Sequence, residues 1–356
     1  MRLDKAIIAL NYEPVKAELG KAALDEACYN AVTGTGDTLV DKSASGRVRP
    51  WNKLKRQNHA VAELFLRARE YTGDGAITED GLARLEDCAR QLYYGVGEDG
   101  SMHLLRANFC KNKLCPICNW RKGIKMFHQI SEITNAIAAS GTKVRYLFLT
   151  LTLKNVSGEN LSTTLDALNK GFAYLTAKSK TFAPAKLLKQ NLLGYYKAVE
   201  ITVHIEKGRN DFHPHLHAVL AVKPQYFGRG YISQQAWREM WQQAIGADYL
   251  PQVNIQAIEM TPKAIAEAAK YPIKAGDLAE AKDKEKAALA LIWLAPAIKG
   301  RRFVSFGGIF RNYKKLLALD DVETGDLVNT DGEDEKLNYV AVKLYQYNMR
   351  LGCYIC

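Results

Sequence analysis

Three of the chain's seven histidines stand at i, i+2 and i+4 in the run Asp211-Phe212-His213-Pro214-His215-Leu216-His217-Ala218-Val219-Leu220. On a strand, alternate side chains share a face, so His215 and His217 can hold one cation through neutral imidazole nitrogens. Glu200 lies in the preceding apolar run Tyr195-Tyr196-Lys197-Ala198-Val199-Glu200-Ile201-Thr202-Val203. A carboxylate there is costly unless it is paired or coordinating, and across a hairpin it faces both histidines. Two imidazoles and a carboxylate leave positions open for water and a phosphate oxygen. His213 or water competes with Glu200 for the third position.

A second constellation is Cys110-Lys111-Asn112-Lys113-Leu114-Cys115-Pro116-Ile117-Cys118, preceded by Cys88 and the hairpin pattern around Gly97-Glu98-Asp99-Gly100. A hairpin joins its two ends, so Cys88 meets Cys110 and four thiolates close a tetrahedral Zn²⁺ site. Cys353 and Cys356 form another CxxC, but a frayed chain end is a poor platform for a metal. A third group is Glu267-Ala268-Ala269-Lys270-Tyr271-Pro272-Ile273-Lys274. Alanine density predicts a helix to Lys270, with Glu267 and Tyr271 on one face and Lys270 and Lys274 beside them. A phenol desolvated next to cations deprotonates more easily and can act as a nucleophile.

These residues need a scaffold. Hydrophobic periodicity predicts a helix over 119–139, a strand over 144–153, a helix over 161–179, a strand over 194–205, the histidine strand, a helix opening at Ser233, and a strand over 253–258. That β-α-β-β-α-β order is an α+β, ferredoxin-like pattern: one antiparallel four-stranded sheet with both helices on one face and the other face open to substrate. The expected division is 1–80, a helical and basic DNA-contact region; 81–140, the zinc hairpin and helix; 141–280, the domain that carries the histidine strand, Glu200, Glu267 and Tyr271; and 281–356, a helix, a basic strand and a tail. Residues 33–46 read as a linker or disordered loop, and 320–335 as a solvated acidic loop.

The 356 residues carry 49 Lys and Arg against 38 Asp and Glu, a net charge of +11, which favours a polyanionic partner. Basic and aromatic residues interleave at Arg49, Trp51 and Lys53 and again at Arg301 and Arg302; together with Arg121, Lys122, Lys270 and Lys274 these are the candidate DNA contacts. Alternatively, Trp51 packs inward. No run approaches the ~20 apolar residues of a membrane span and no signal-peptide core opens the chain, so a cytoplasmic protein with no membrane partner is expected. In a reducing compartment the seven cysteines read as thiols or metal ligands.

Phe148-Leu149-Thr150-Leu151-Thr152, His213-Pro214-His215-Leu216-His217 and Glu267-x3-Tyr271-x2-Lys274 stand in that order. The set resembles the plasmid rolling-circle replication initiators of the HUH endonuclease superfamily, over roughly residues 45 to 312. The resemblance implies a site-specific, metal-dependent single-strand nickase. In it His215 and His217 hold Mg²⁺ or Mn²⁺. Tyr271 attacks to leave a 5′-phosphotyrosyl link and a free 3′-OH, and Glu267 serves as a general base at termination. Glu200 as third ligand rests on strand alternation alone. The implied partners are plasmid origin DNA, host helicase and polymerase, and a second copy of the chain on DNA. A transposase with the same core, or a non-catalytic zinc-dependent DNA-binding regulator, remain as alternatives.

Overall fold

The computed structural model describes residues 37–43, 45–73, 78–176, 183–205, 211–269, 273, 275–330 and 339–356. Helix α1 (Trp51–Thr72) and the short α2 (Glu79–Asp87) lead into the hairpin β1 (Gln91–Gly97) and β2 (Met102–Ala107) and the long helix α3 (Pro116–Ala139). Then follow β3 (Arg145–Thr152), β4 (Val156–Ser157), α4 (Gly158–Thr176), α5 (Ala183–Asn191), β5 (Leu192–His204), β6 (Asp211–Val222), α6 (Gln234–Ile245) and β7 (Val253–Ile258). The remainder comprises α7 (Pro262–Ala268), α8 (Ala275–Ala279), α9 (Lys284–Ile298), β8 (Val304–Gly308), α10 (Ile309–Leu316), β9 (Tyr339–Asn348) and β10 (Cys353–Ile355).

The larger sheet runs β7-β3-β6-β5-β8, with β4 paired to β6, and every pairing is antiparallel. The fold is therefore α+β, with six strands in this sheet rather than the four expected, because β8 adds to the β5 edge and β4 pairs with the start of β6. Alternation on β3 and β6 sends Leu147, Leu149, Leu151, Leu216 and Leu220 to one face, where they meet Leu161, Leu165 and Phe172 of α4 and Trp237 and Trp241 of α6. The opposite face was expected to be open, and the structure corrects this. Tyr196, Ala198, Val219 and Ala221 are covered by Met126, Ile130, Ile133 and Ile137 of α3, with Ile265 of α7 and Phe310 of α10. Helical spacing on α3 puts those four residues in one apolar stripe, and that stripe needs a second sheet face to bury it. Glu200, His215 and His217, at the other end of this face, stay only partly buried.

The smaller sheet is β10-β9-β1-β2, so the chain's last strands complete the hairpin laid down near residue 91. The tail is not frayed: Ile355 bridges Thr38, and the Cys356 amide donates to the Asp37 carbonyl at 3.0 Å. Because β8 extends the larger sheet and β9–β10 the smaller one, the segment after 281 is shared between the two sheets.

Two expected loops are fixed in their described parts. Buried Asp41 accepts hydrogen bonds from Trp51 Nε1 at 2.7 Å, Tyr94 Oη at 2.7 Å and Arg49 Nη1 at 3.3 Å, so this end of the 33–46 stretch is anchored. Within the acidic segment, Glu323 is buried and accepts from the amides of Phe303 at 2.7 Å and Val304 at 3.0 Å, while Asp320 takes Lys125 Nζ at 2.5 Å. These carboxylates answer buried donors rather than water. Among the described residues no helix is long and apolar enough to cross a membrane.

Candidate active site

The β5–β6 ladder sets Glu200 directly opposite His215, and Ala198 opposite His217. On its other side β6 pairs with β3, which puts Thr150 beside His217 and Thr152 beside His215. All these side chains share one sheet face. Glu200 Oε2 lies 3.4 Å from His215 Nε2 and 3.3 Å from His217 Nε2. The far nitrogens are occupied: His215 Nδ1 lies 3.2 Å from the His213 carbonyl, and His217 Nδ1 lies 3.0 Å from Thr150 Oγ1. Phe148 stacks on the His217 ring at 5.6 Å between centroids.

A carbonyl can only accept, so it fixes the proton of His215 on Nδ1 and turns the Nε2 lone pair toward the carboxylate. Two electron-rich groups aimed at each other need a cation between them. Burial opposes ionisation of Glu200, and positive charge on the imidazole side of the trio, whether a proton or a metal ion, outweighs it and holds the carboxyl well below the usual range. The trio's ligand atoms lie within 4.8 Å of one another, so the donor set can hold a divalent metal ion. His213, the other candidate for third ligand, instead has Nδ1 2.7 Å from Asn155 Oδ1.

Cys88 caps the end of α2, Cys110 follows β2, and Cys115 is the N-cap of α3 with Cys118 in its first turn. Pairing of Leu92 with Ala107 brings the hairpin's ends together. The sulfurs approach at 3.5 Å (Cys88 to Cys115), 3.6 Å (Cys88 to Cys118) and 3.7 Å (Cys110 to Cys118), and all four lie within 4.8 Å of one another. Those separations are far longer than a disulfide and match the ~3.8 Å edge of a tetrahedron with metal–sulfur bonds of about 2.3 Å. Burial opposes ionisation of Cys115, yet contacts from the other three sulfurs and the Cys118 amide draw its thiol well below its ordinary value.

Sequence reasoning missed Lys55. It is wholly buried, its Nζ donating to the carbonyls of Cys88 at 2.6 Å and Glu86 at 2.7 Å, while its neighbour Asn58 donates to Cys115 Sγ at 3.5 Å. Four thiolates carry more negative charge than a divalent ion cancels, and a buried ammonium offsets the excess.

The expected DNA contacts separate into groups. Trp51, Arg121 and Lys122 are buried, which corrects their assignment. Trp51 donates to Asp41, Arg121 Nε to the Leu327 carbonyl at 2.8 Å, and Lys122 Nζ to the Lys111 carbonyl at 3.1 Å. Arg49 is turned toward Asp41, and Arg301 toward Asp166 and Ser162. Lys53 and Arg302 are exposed, near Glu280 at 3.8 Å and Asp321 at 2.6 Å. Glu267 stands exposed in the last turn of α7, which ends at Ala268 rather than running to Lys270. Lys270, Tyr271 and Lys274 lie outside the described residues. Ile273 is described: it forms a parallel bridge with Ile201, the residue after Glu200, and its carbonyl accepts from Asn119 Nδ2 at 3.0 Å.

The family model described as "Replication protein" matches residues 101–355, which include both histidine-bearing and carboxylate-bearing strands and three of the four clustered cysteines. The chain belongs to the replication protein family. It is 36% identical over 307 residues to "Protein rep" of Streptococcus pneumoniae serotype 2, covering 84% of this chain and 89% of the relative. It is 36% identical over 314 residues to "Protein rep" of Lactiplantibacillus plantarum (84% and 91%), and 33% identical over 330 residues to that of Bacillus amyloliquefaciens (87% and 94%). No solved structure matches the chain. The resemblance to replication initiators carried by the motif order is thereby borne out.

Proposed function

We propose that this replication protein initiates rolling-circle replication of a plasmid by nicking one strand at the double-strand origin, as an HUH endonuclease. The observation that carries the reading is the convergence of Glu200, His215 and His217, with both outer imidazole nitrogens already engaged. The strand order β7-β3-β6-β5, with α4 and α6 on one face, supports a ferredoxin-like core.

Glu200, His215 and His217 would hold Mg²⁺ or Mn²⁺, which would supply positive charge to the scissile phosphate. Tyr271 is the nucleophile. Its oxygen bonds to phosphorus as the bond to the 3′ oxygen breaks, leaving a 5′-phosphotyrosyl link and a 3′-OH that takes up a proton and primes the host polymerase. What supports this role is the motif order and the described Ile273, which bridges Ile201, the residue after Glu200. Glu267 acts later, as the base that activates water or a DNA hydroxyl for the terminating cleavage. Cys88, Cys110, Cys115 and Cys118 would hold a structural Zn²⁺, which would tie the hairpin to α3. The protein works in the cytoplasm with origin DNA, a host helicase and polymerase, and pairs with a second copy on DNA.

Supercoiled origin plasmid incubated with Mn²⁺ tests the reading. Wild type yields nicked circles and a covalent protein–DNA band, and Tyr271→Phe yields neither; an adduct of undiminished yield from Tyr271→Phe sinks the assignment.

A further inference from the structure

A cavity of about 330 Å³ opens between α1, the end of α2 and the turn joining β9 to β10, away from the histidine face. It is lined by His59, Glu86, Asp87, Arg90, Tyr347 and Met349, and a smaller cavity beside it shares Asp87 and Arg90. The His59 and Tyr347 rings lie 5.4 Å apart at 30°. His59 Nε2 is buried with no protein hydrogen-bond partner. Burial, with Lys55 and Arg90 nearby, pushes the His59 imidazole down to about 4, so near neutral pH it offers a donor or an acceptor rather than a charge.

The rim has its own character. The turn after β9 exposes Met349 (72%) and Leu351 (65%) on either side of Arg350. It is held rigidly: Asn348 Oδ1 accepts the amides of Arg350 at 3.0 Å and Leu351 at 3.1 Å, and Arg56 Nη1 donates to the Gly352 carbonyl at 2.7 Å. Apolar side chains on a stiff, cation-bearing tip can enter a base step and unstack it. An aromatic-walled cavity with carboxylates for exocyclic amines and an arginine for phosphate can receive the displaced base.

We propose that this cavity and tip form a second DNA subsite, in which Met349 and Leu351 unstack one nucleotide of a single strand and its base lodges against Tyr347 and His59. The inference rests on the DNA-nicking function above and adds a contact made by residues other than those of the histidine–carboxylate site. Paired cationic and acidic walls favour a base, which both donates and accepts, over a bare phosphate.

The test is binding of a mixed-sequence single-stranded oligonucleotide carrying 2-aminopurine, read by anisotropy and by base fluorescence. Removing a base-stacking or base-pairing side chain typically weakens single-strand binding about tenfold. Arg90→Ala and the exposed double variant Met349→Ser/Leu351→Ser are therefore expected to lose about tenfold in affinity and the unstacking signal. Far-ultraviolet dichroism and bound zinc matching wild type exclude misfolding. Unchanged affinity and unstacking in both pocket variants, with wild-type nicking intact, overturn the subsite and leave the nickase reading standing. Loss of nicking in His215→Ala tests that reading separately. Pocket variants that bind DNA normally but fail to replicate a plasmid in cells point to a protein occupant and likewise overturn the proposal.

Discussion

Thr150→Val removes one hydroxyl and nothing else of consequence: valine is isosteric, β-branched and at home on β3. The hydroxyl lies 3.0 Å from His217 Nδ1 and fixes the ring that faces Glu200. Partners of metal-bound histidines are typically worth 10–100-fold in metal affinity, about 1.4–2.7 kcal/mol. The His217 side chain is 27% exposed, so water can replace part of the lost contact, and Phe148 still stacks on the ring. Both facts favour the lower end, roughly tenfold. Titrating Mn²⁺ against initial nicking rate on an origin oligonucleotide should move the half-maximal concentration up about tenfold, with the rate at saturating Mn²⁺ close to wild type. Glu200→Gln, which removes the negative charge of the trio, should shift it further. An unmoved midpoint in Thr150→Val would show that the contact does not position a ligand, and a rate that saturating metal fails to restore would show that the hydroxyl acts in the chemistry instead.

The other expected outcomes concern separate parts of the molecule. Cys115→Ser and Cys118→Ser should each lose the bound zinc and most of the cooperative unfolding transition, since both sulfurs are fully buried; elemental analysis of unstripped wild type showing no zinc would dispose of the site. Glu267→Ala should nick and form the adduct yet release replication products poorly and let synthesis pass one plasmid length; a Glu267→Ala protein that terminates normally but cannot make the first nick would reassign the carboxylate. The third outcome follows from His59, whose folded pKa of about 4 lies below the ordinary value of 6.5. The unfolded chain therefore takes up a proton first as pH falls, and stability held above pH 6.5 declines toward pH 4. His59→Gln should flatten that decline in urea melts, and a slope identical to wild type would contradict the assignment.

Alternation along a strand is a local property, so the shared face of His215 and His217 and the position of Glu200 opposite them were legible from side-chain order once a hairpin was assumed. The hairpin likewise made the meeting of Cys88 with Cys110 a consequence of chain connectivity, and the order of apolar periods carried the succession β3, α4, β5, β6, α6, β7, though not β4, α5 or the pairing of β8 with β5. The FLTLT alternation also put Thr150 on the histidine face, and that signal was available though unused. Other features depended on contacts between distant segments. Burial of Trp51, Arg121 and Lys122 is set by Asp41, by the carbonyls of 327 and 328 and by that of Lys111, because a cation or indole goes inside only where the folded chain supplies acceptors. The same holds for the acidic stretch, pinned by Lys125 and the Phe303 amide. Only tertiary structure could decide that α3 covers the second sheet face, or that β9 joins β1 across some 250 residues of sequence, since loop closure over such distances depends weakly on length and leaves no local mark.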